Sequence, residues 1–450
     1  MEQVESLKTE NKFKKTEAGE IPMEWGVASL GDISTEIYRY PTYYNIQYVE
    51  RGIPEIRGEL IKSNGNLETD MSLYRFISKD TAAQFPKTRM QEGDFVISVR
   101  GTMGKIGIVP NELEGANITA NLIRVSPDRK RIFPLWLLQI FMSEKFQEQL
   151  NMASSSTTIK TIKAPELKSF KLAIPTFFEQ KKIAEILSAV DSAIEKSNKV
   201  IEKTKELKRG LMQELLTGKR RVKVGSRKDE GESRYKKTKL GEIPEEWGVK
   251  RIEEIVEKII DNRGKTPSLS AEGYELIEVN AIEADSKYPN YKKVTKYVDE
   301  KTYDEWFRDG HPEKNDILIP TVGTIGVSAI LNENRGCIAQ NIIAVRVTSE
   351  MFPDFFYYLT NSDIFIKQVN QVVMSAVQPS LKVPHFLKLT IQVPSYSEQR
   401  KIADILNGID EEIEEETAQN NKLKDLKKGL MQVLLTGKIR VKIGRMKYEG

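Results

Sequence analysis

Between Phe178 and Leu216 the chain has no proline, and its apolar side chains recur at alternating steps of three and four residues. Ile183, Val190, Ser197, Thr204 and Leu211 form one row of a heptad seam, and Leu187, Ile194, Ile201, Lys208 and Leu215 form the other. The same pattern returns in Ile402, Ile409, Glu416, Leu423 and Leu430 beside Leu406, Ile413, Asn420, Lys427 and Leu434. Two long helices are predicted. Pro175 and Pro394 precede them, and Gly218 and Gly437 follow as stop signals. Each seam is apolar at its ends and partly polar midway, which costs stability but restricts register and favours one defined partner.

Outside the helices the period changes. Residues 28–175 and 250–394 read as mixed α/β domains, with strand-like runs such as Asp94-Phe-Val-Ile-Ser-Val and Asp316-Ile-Leu-Ile-Pro-Thr. The glycine turns RGTMG and VGTIG follow these runs, and helix-like stretches lie at Leu135 to Leu150 and Asp354 to Val369.

The two halves are copies of one another at an offset of about 220 residues. GEIPMEWGV at 19–27 returns as GEIPEEWGV at 241–249, EQKKIAEIL at 179–187 as EQRKIADIL at 398–406, and LKRGLMQELLTGK at 207–219 as LKKGLMQVLLTGK at 426–438. Between these frames only a skeleton aligns: Asp94, Gly101, Gly104, Asn121 and Pro175 match Asp316, Gly323, Gly326, Asn341 and Pro394. A scaffold must keep its packing, whereas a reader changes the groups it presents. Two different ligand features are therefore expected to be read. The central segment 221–238 resembles the C-terminal tail at its front and the N-terminal segment at its back, which predicts a pseudo-twofold circular arrangement with neighbouring termini. Charge alone allows parallel or antiparallel pairing of the helices, and that layout favours an antiparallel coiled coil. In that arrangement the lysines at 196, 199, 203 and 205 would meet the glutamates at 411, 412, 414, 415 and 416, unless both runs are merely solvated faces.

The expected fold is thus α/β (α+β) recognition domains in tandem duplication, each followed by a long helix. The boundaries read as a first domain at 1–175, its helix at 176–218 and a basic linker at 219–240. A second domain at 241–394, its helix at 395–437 and a tail at 438–450 complete the chain.

Composition narrows the function classes. With 69 basic and 65 acidic residues the net charge is +4, too small to prove a nucleic-acid partner but compatible with local basic faces. A lone cysteine, Cys337, rules out an internal disulfide or a multi-thiolate metal site, and fits a reducing cytoplasm. No apolar stretch has the length of a signal peptide or a membrane span, so a cytoplasmic location without membrane contact is expected. His311 and His385 have no counterparts in the other copy, and no metal, nucleophile or dinucleotide motif appears. Binding without catalysis or cofactor is the expectation. The glycine turns lack the spacing of a phosphate-binding loop and read as tight turns.

Candidate DNA-contacting residues follow from side-chain chemistry. Arginine and asparagine can pair with guanine and adenine edges, while lysine and threonine commonly hold phosphates. The first copy offers Arg39, Tyr40 and Arg57, with Arg100 and Lys105 flanking the glycine turn, and the second offers Asn262, Arg263, Lys265 and Thr266. For any one of them, core packing or plain solvent exposure is the competing reading.

The GEIPxEWG opening, the proline followed by EQxKIAxIL, the GLMQxLLTGK close and their duplication resemble the specificity subunit of type I restriction-modification systems. That resemblance covers nearly the whole chain. It implies two target recognition domains, each reading one half of a bipartite site in double-stranded DNA. It also implies conserved helices on which modification subunits dock, two of them, with restriction subunits joining through the complex. The RGKTP stretch typical of the family's recognition domain stands at Arg263 to Pro267, and the first copy departs from it with RYPTY at 39–43. Two competing readings remain: a coiled-coil scaffold joining two protein partners without DNA, and a self-contained enzyme. Divergent interiors speak against the first, and the missing catalytic constellation against the second.

Overall fold

A computed structural model describes residues 12–39, 46–100, 103–154, 161–222, 234–264, 266–373 and 380–441. The chain divides into two compact units, one of residues 1–198 with 419–450 and the other of residues 199–418. This division differs from the sequence-contiguous boundaries, because it cuts both long helices. The first unit takes the opening half of its own helix and the closing turns of the other, and the second unit does the same.

Each unit has an antiparallel four-stranded sheet at its centre. In the first unit the strand order is Ser34–Arg39, Leu122–Pro127, Phe95–Ser98 and Ile106–Ile108. In the second it is Val256–Ile260, Ile342–Val347, Ile317–Pro320 and Ala329–Ile330. A second sheet with one parallel pair accompanies each, Ile53–Ile56 with Asn117–Ile118 and Tyr274–Ile277 with Cys337–Ile338. The central sheets are antiparallel and not built of parallel strands alternating with helices, so α+β describes the units better than alternating α/β.

Both strand-like runs form strands, at Phe95–Ser98 and Ile317–Pro320. An aspartate opens each and is buried beneath an arginine from the neighbouring strand. Arg124 Nε donates to Asp94 Oδ2 at 2.9 Å, and Arg346 Nε and Nη2 donate to Asp316 at 3.0 and 2.9 Å. Both helix-like stretches break in two, into Pro134–Met142 and Glu144–Ser154, and into Pro353–Thr360 and Asp363–Val373. A serine causes each break. The Ser143 and Ser362 hydroxyls accept the amide N–H groups of Phe146 and Phe365, so each caps a new helix.

The long helices span Phe177–Leu215 and Tyr396–Leu434. No predicted seam residue on either is exposed. Gly218 and Gly437 end them at φ of 72° and 71°. A Cβ there would lie 2.5 Å from Pro244 and 2.4 Å from Pro22, so close packing and left-handed geometry both require glycine.

The copied frames converge on each helix start. Gln180, fully buried, accepts from the Phe133 amide at 2.8 Å and donates to the Arg131 and Pro175 carbonyls, both at 3.1 Å. Gln399 makes the same three bonds to Phe352, Glu350 and Pro394. Beside them Glu179 and Glu398 are almost fully buried. Glu179 exchanges bonds with Thr176 in a reciprocal cap, the Glu398 amide donates to the Ser395 hydroxyl, and each glutamate is held by an arginine from beyond the other helix's end. Arg440 Nε donates to Glu179 at 2.6 Å, and Arg221 Nε and Nη2 donate to Glu398 at 2.8 and 3.1 Å. Leu434 and Leu435 join the core containing Trp25, and Leu215 and Leu216 join that containing Trp247.

Further along, Lys427 bonds Asp191 at 2.6 Å and Asn420 donates to Asn198 at 2.5 Å in the first unit, while Lys208 bonds Asp410 at 2.5 Å in the second. In these pairs the partners of the helix lysines are aspartates. Glu411, Glu412, Glu414 and Glu415 are exposed, and Lys205 turns instead to Asp285 at 2.9 Å. Exposed pairs contribute little, so solvation wins at those positions.

Removing either frame arginine leaves a buried carboxylate without its counterion, which typically costs about 3–5 kcal/mol. Arg221→Ala and Arg440→Ala are each expected to lower the unfolding free energy by that order, and the urea midpoint with it, with Arg→Lys intermediate. An equilibrium urea titration checks this, and an unchanged midpoint would contradict it.

Candidate nucleic-acid interface

Antiparallel pairing brings alternate strand ends to one end of each central sheet. In the first unit Arg39 closes its strand opposite Ile123, which is itself opposite Ile97. The same end carries Arg100 just beyond Ser98, and Lys105 just before Ile106. Three candidates scattered over 66 positions thus reach one place. Gly104, at φ of 80°, supplies the tight turn between them, and its amide donates to the Ser98 carbonyl at 2.9 Å.

Arg39 is half-buried there. Among the described residues its Nε and Nη1 reach neutral acceptors at the edge of hydrogen-bond range, the Ala120 carbonyl and the Thr161 hydroxyl, both at 3.4 Å. Burial lowers its guanidinium pKa, and the nearby positive charge of Arg100 adds to that effect. Arg100 is exposed. Arg57 stands differently, with Nη1 on Glu59 at 2.5 Å and Nη2 on the Leu73 carbonyl at 2.6 Å. Its guanidinium ties the turn after Ile56 to the turn before Tyr74.

In the second unit the equivalent sheet end follows Ile260. Asn262 is buried, donates to the Gly310 carbonyl at 3.1 Å and accepts the Asp309 amide at 3.2 Å. It therefore clamps the 309–310 turn. Arg263 folds back on Asp261 in a bidentate pair of 2.6 and 2.5 Å, which raises its pKa. Thr266 is exposed. Tyr40 and Lys265 lie outside the described residues. The structure thus groups Arg39, Arg100 and Lys105, groups Asn262 and Arg263, and gives Arg57 and Asn262 internal partners.

Sequence reasoning missed Asp261, although its spacing of two from Arg263 was a visible ion-pair signal. It also missed Thr161, which no local pattern marks. Among the described residues no His/Cys/Asp/Glu group could hold a metal, and no helix is long and apolar enough to cross a membrane. Cys337 is fully buried, which pushes its thiol up to about 12. His311 stacks on Tyr303 at 3.5 Å between ring centroids.

Comparison with known proteins adds the family. The family described as Type I restriction modification DNA specificity domain matches residues 22–206 and again 244–425. A putative type I restriction enzyme MjaX specificity subunit from Methanocaldococcus jannaschii is 30% identical, covering 96% of this chain and 98% of that protein. The MjaVIII specificity subunit of the same organism is 25% identical, over 96% of this chain and 97% of its own. Among solved structures, a type I restriction-modification S subunit from M. genitalium superposes with a TM-score of 0.52 at 17% identity. That likeness covers 95% of this chain and 98% of the other, and shows a shared fold.

Because Arg57 and Asn262 already have internal partners, their loss should be felt in folding before binding. Arg57→Ala and Asn262→Ala are each expected to cost about 1–3 kcal/mol, as broken internal hydrogen bonds do. The dependence of DNA affinity on salt should stay unchanged. Thermal unfolding alongside a salt titration of DNA binding checks both parts. Native stability with a reduced salt dependence would place these side chains on the DNA instead.

Proposed function

The chain belongs to the type I restriction-modification DNA specificity family, and from that premise we propose that it selects the DNA sequence on which a restriction-modification complex acts. Each recognition domain, at 1–175 and 241–394, reads one half of a bipartite site in double-stranded DNA. The observation that carries this reading is the repeated sheet end: one scaffold, built twice, presents different side chains at the same place. A coiled-coil scaffold without DNA would have no use for that variation. The relatives bear the name of specificity subunits, and this chain takes the same non-catalytic role, with methylation and cleavage left to partner subunits. It works in the cytoplasm.

The long helices pair as an antiparallel coiled coil and close a pseudo-twofold, circular arrangement. Supporting this, Glu179, Asp191 and Asn198 meet Arg440, Lys427 and Asn420, so numbering rises on one side while it falls on the other. Arg440 also pairs with Glu24, which joins the tail to the opening frame. Two modification subunits dock on the duplicated frames, and restriction subunits join through them.

Exchanging residues 28–175 for the equivalent region of a relative is expected to change one half-site and leave the other intact. Methylome sequencing of a host carrying the chimaera tests this reading of function, and a change in both half-sites would defeat it. The same measurement reports on the helices. Seven residues inserted both after Asn198 and after Gln419 keep every contact named above, because they separate no bonded pair. Such a variant is expected to lengthen the tolerated spacer while preserving both half-sites. An unaltered spacer would make the helices a docking surface only.

A further inference from the structure

The equivalent sheet ends differ in charge: cations gather at the first, while an aspartate at the second is paired with an arginine. In the first unit Ile97 pairs with Ile123, and Ile123 with Arg39. In the second, the counterpart of Ile97 is Ile319, which pairs with Ile343. Ile260 pairs with Ala344, so the next residue, Asp261, comes opposite Ile343. Asp261 therefore occupies the place of Arg39. Through the aligned Asp94/Asp316 and Gly104/Gly326, Arg100 corresponds to Val322 and Lys105 to Val327. Three cations at one end are replaced by one carboxylate and two valines at the other.

The local chemistry sharpens the contrast. Among the described residues neither Arg39 nor Arg100 has a carboxylate partner, and the two guanidinium groups lie near enough to repel each other. A half-buried cation beside a second cation, with long bonds to neutral acceptors among the described residues, is suited to take an anion. The Asp261–Arg263 pair at the other end is already neutralised.

We propose that DNA phosphates are held unequally, with the first unit's sheet end, through Arg39 and Arg100, supplying phosphate contacts that the second unit's sheet end does not. This rests on the reading of both units as DNA readers and divides the electrostatic work between them. The phosphate-holding half-site gives affinity and steers encounter, because each neutralised phosphate releases counterions whatever the base sequence. The other half-site adds discrimination through neutral contacts and shape.

The test uses the full chain assembled with its modification subunits, and measures affinity for its cognate duplex across a salt series. One phosphate contact contributes about 0.9 to the slope of log affinity against log salt. Arg39→Ala with Arg100→Ala is expected to lower that slope by about 2, and Arg263→Ala to leave it nearly unchanged. Arg39→Lys should keep most of it, separating lost charge from lost folding. Asp261→Ala, which frees Arg263, is expected to raise the slope by about 1. An undiminished slope in the double variant, or an equal fall with Arg263→Ala, would overturn the proposal. Absence of sequence preference in the native assembly would instead overturn the DNA-reading function on which it rests.

Discussion

Neither recognition core is complete without the last turns of the helix that begins in the other copy. Leu434 and Leu435 pack with Trp25, and Leu215 and Leu216 with Trp247, while Arg440 and Arg221 neutralise Glu179 and Glu398. Buried carboxylates need counterions, and here these come from arginines far away in the chain. This exchange obliges both helices to end where they do, and both glycine turns to take a conformation that no other residue tolerates at such close range.

That exchange explains the division between copied and divergent sequence. The frame blocks are alike because each must fit the other's product: the opening tryptophan, the helix-start Glu-Gln pair and the closing leucines form one joint, made twice. Sheet ends take no part in the joint. Their side chains are free to differ, and differ as far as a charge reversal between Arg39 and Asp261. A fold that fixes its frame and releases its sheet ends can acquire a new half-site without losing stability.

Much of this was legible in the sequence. The heptad rows located both long helices, and the repeat showed that there are two like units, because period and self-similarity are strong signals. The breaks at Ser143 and Ser362 were not legible, since a serine cap competes locally with an otherwise continuous helical pattern. Nor were the pairs Lys427–Asp191 and Lys208–Asp410, because these side chains sit nearer the seam than the charge runs that stand out in the sequence. At the site, residue type suggested Arg39, Arg100 and Lys105, but only strand pairing unites them. Residue type could not tell that Arg57 and Asn262 spend their hydrogen bonds inside the protein, nor that Asp261 restrains Arg263.

One measurement bears most directly on the claim that two differing sheet ends on one duplicated frame read two half-sites. It is the methylome of a host that carries the native chain with its modification subunits and otherwise lacks that methylation. Two unlike short motifs, separated by an unspecified gap of constant length and methylated together, are the result this account predicts. Methylation at a single uninterrupted motif, or at two copies of one motif, would contradict it.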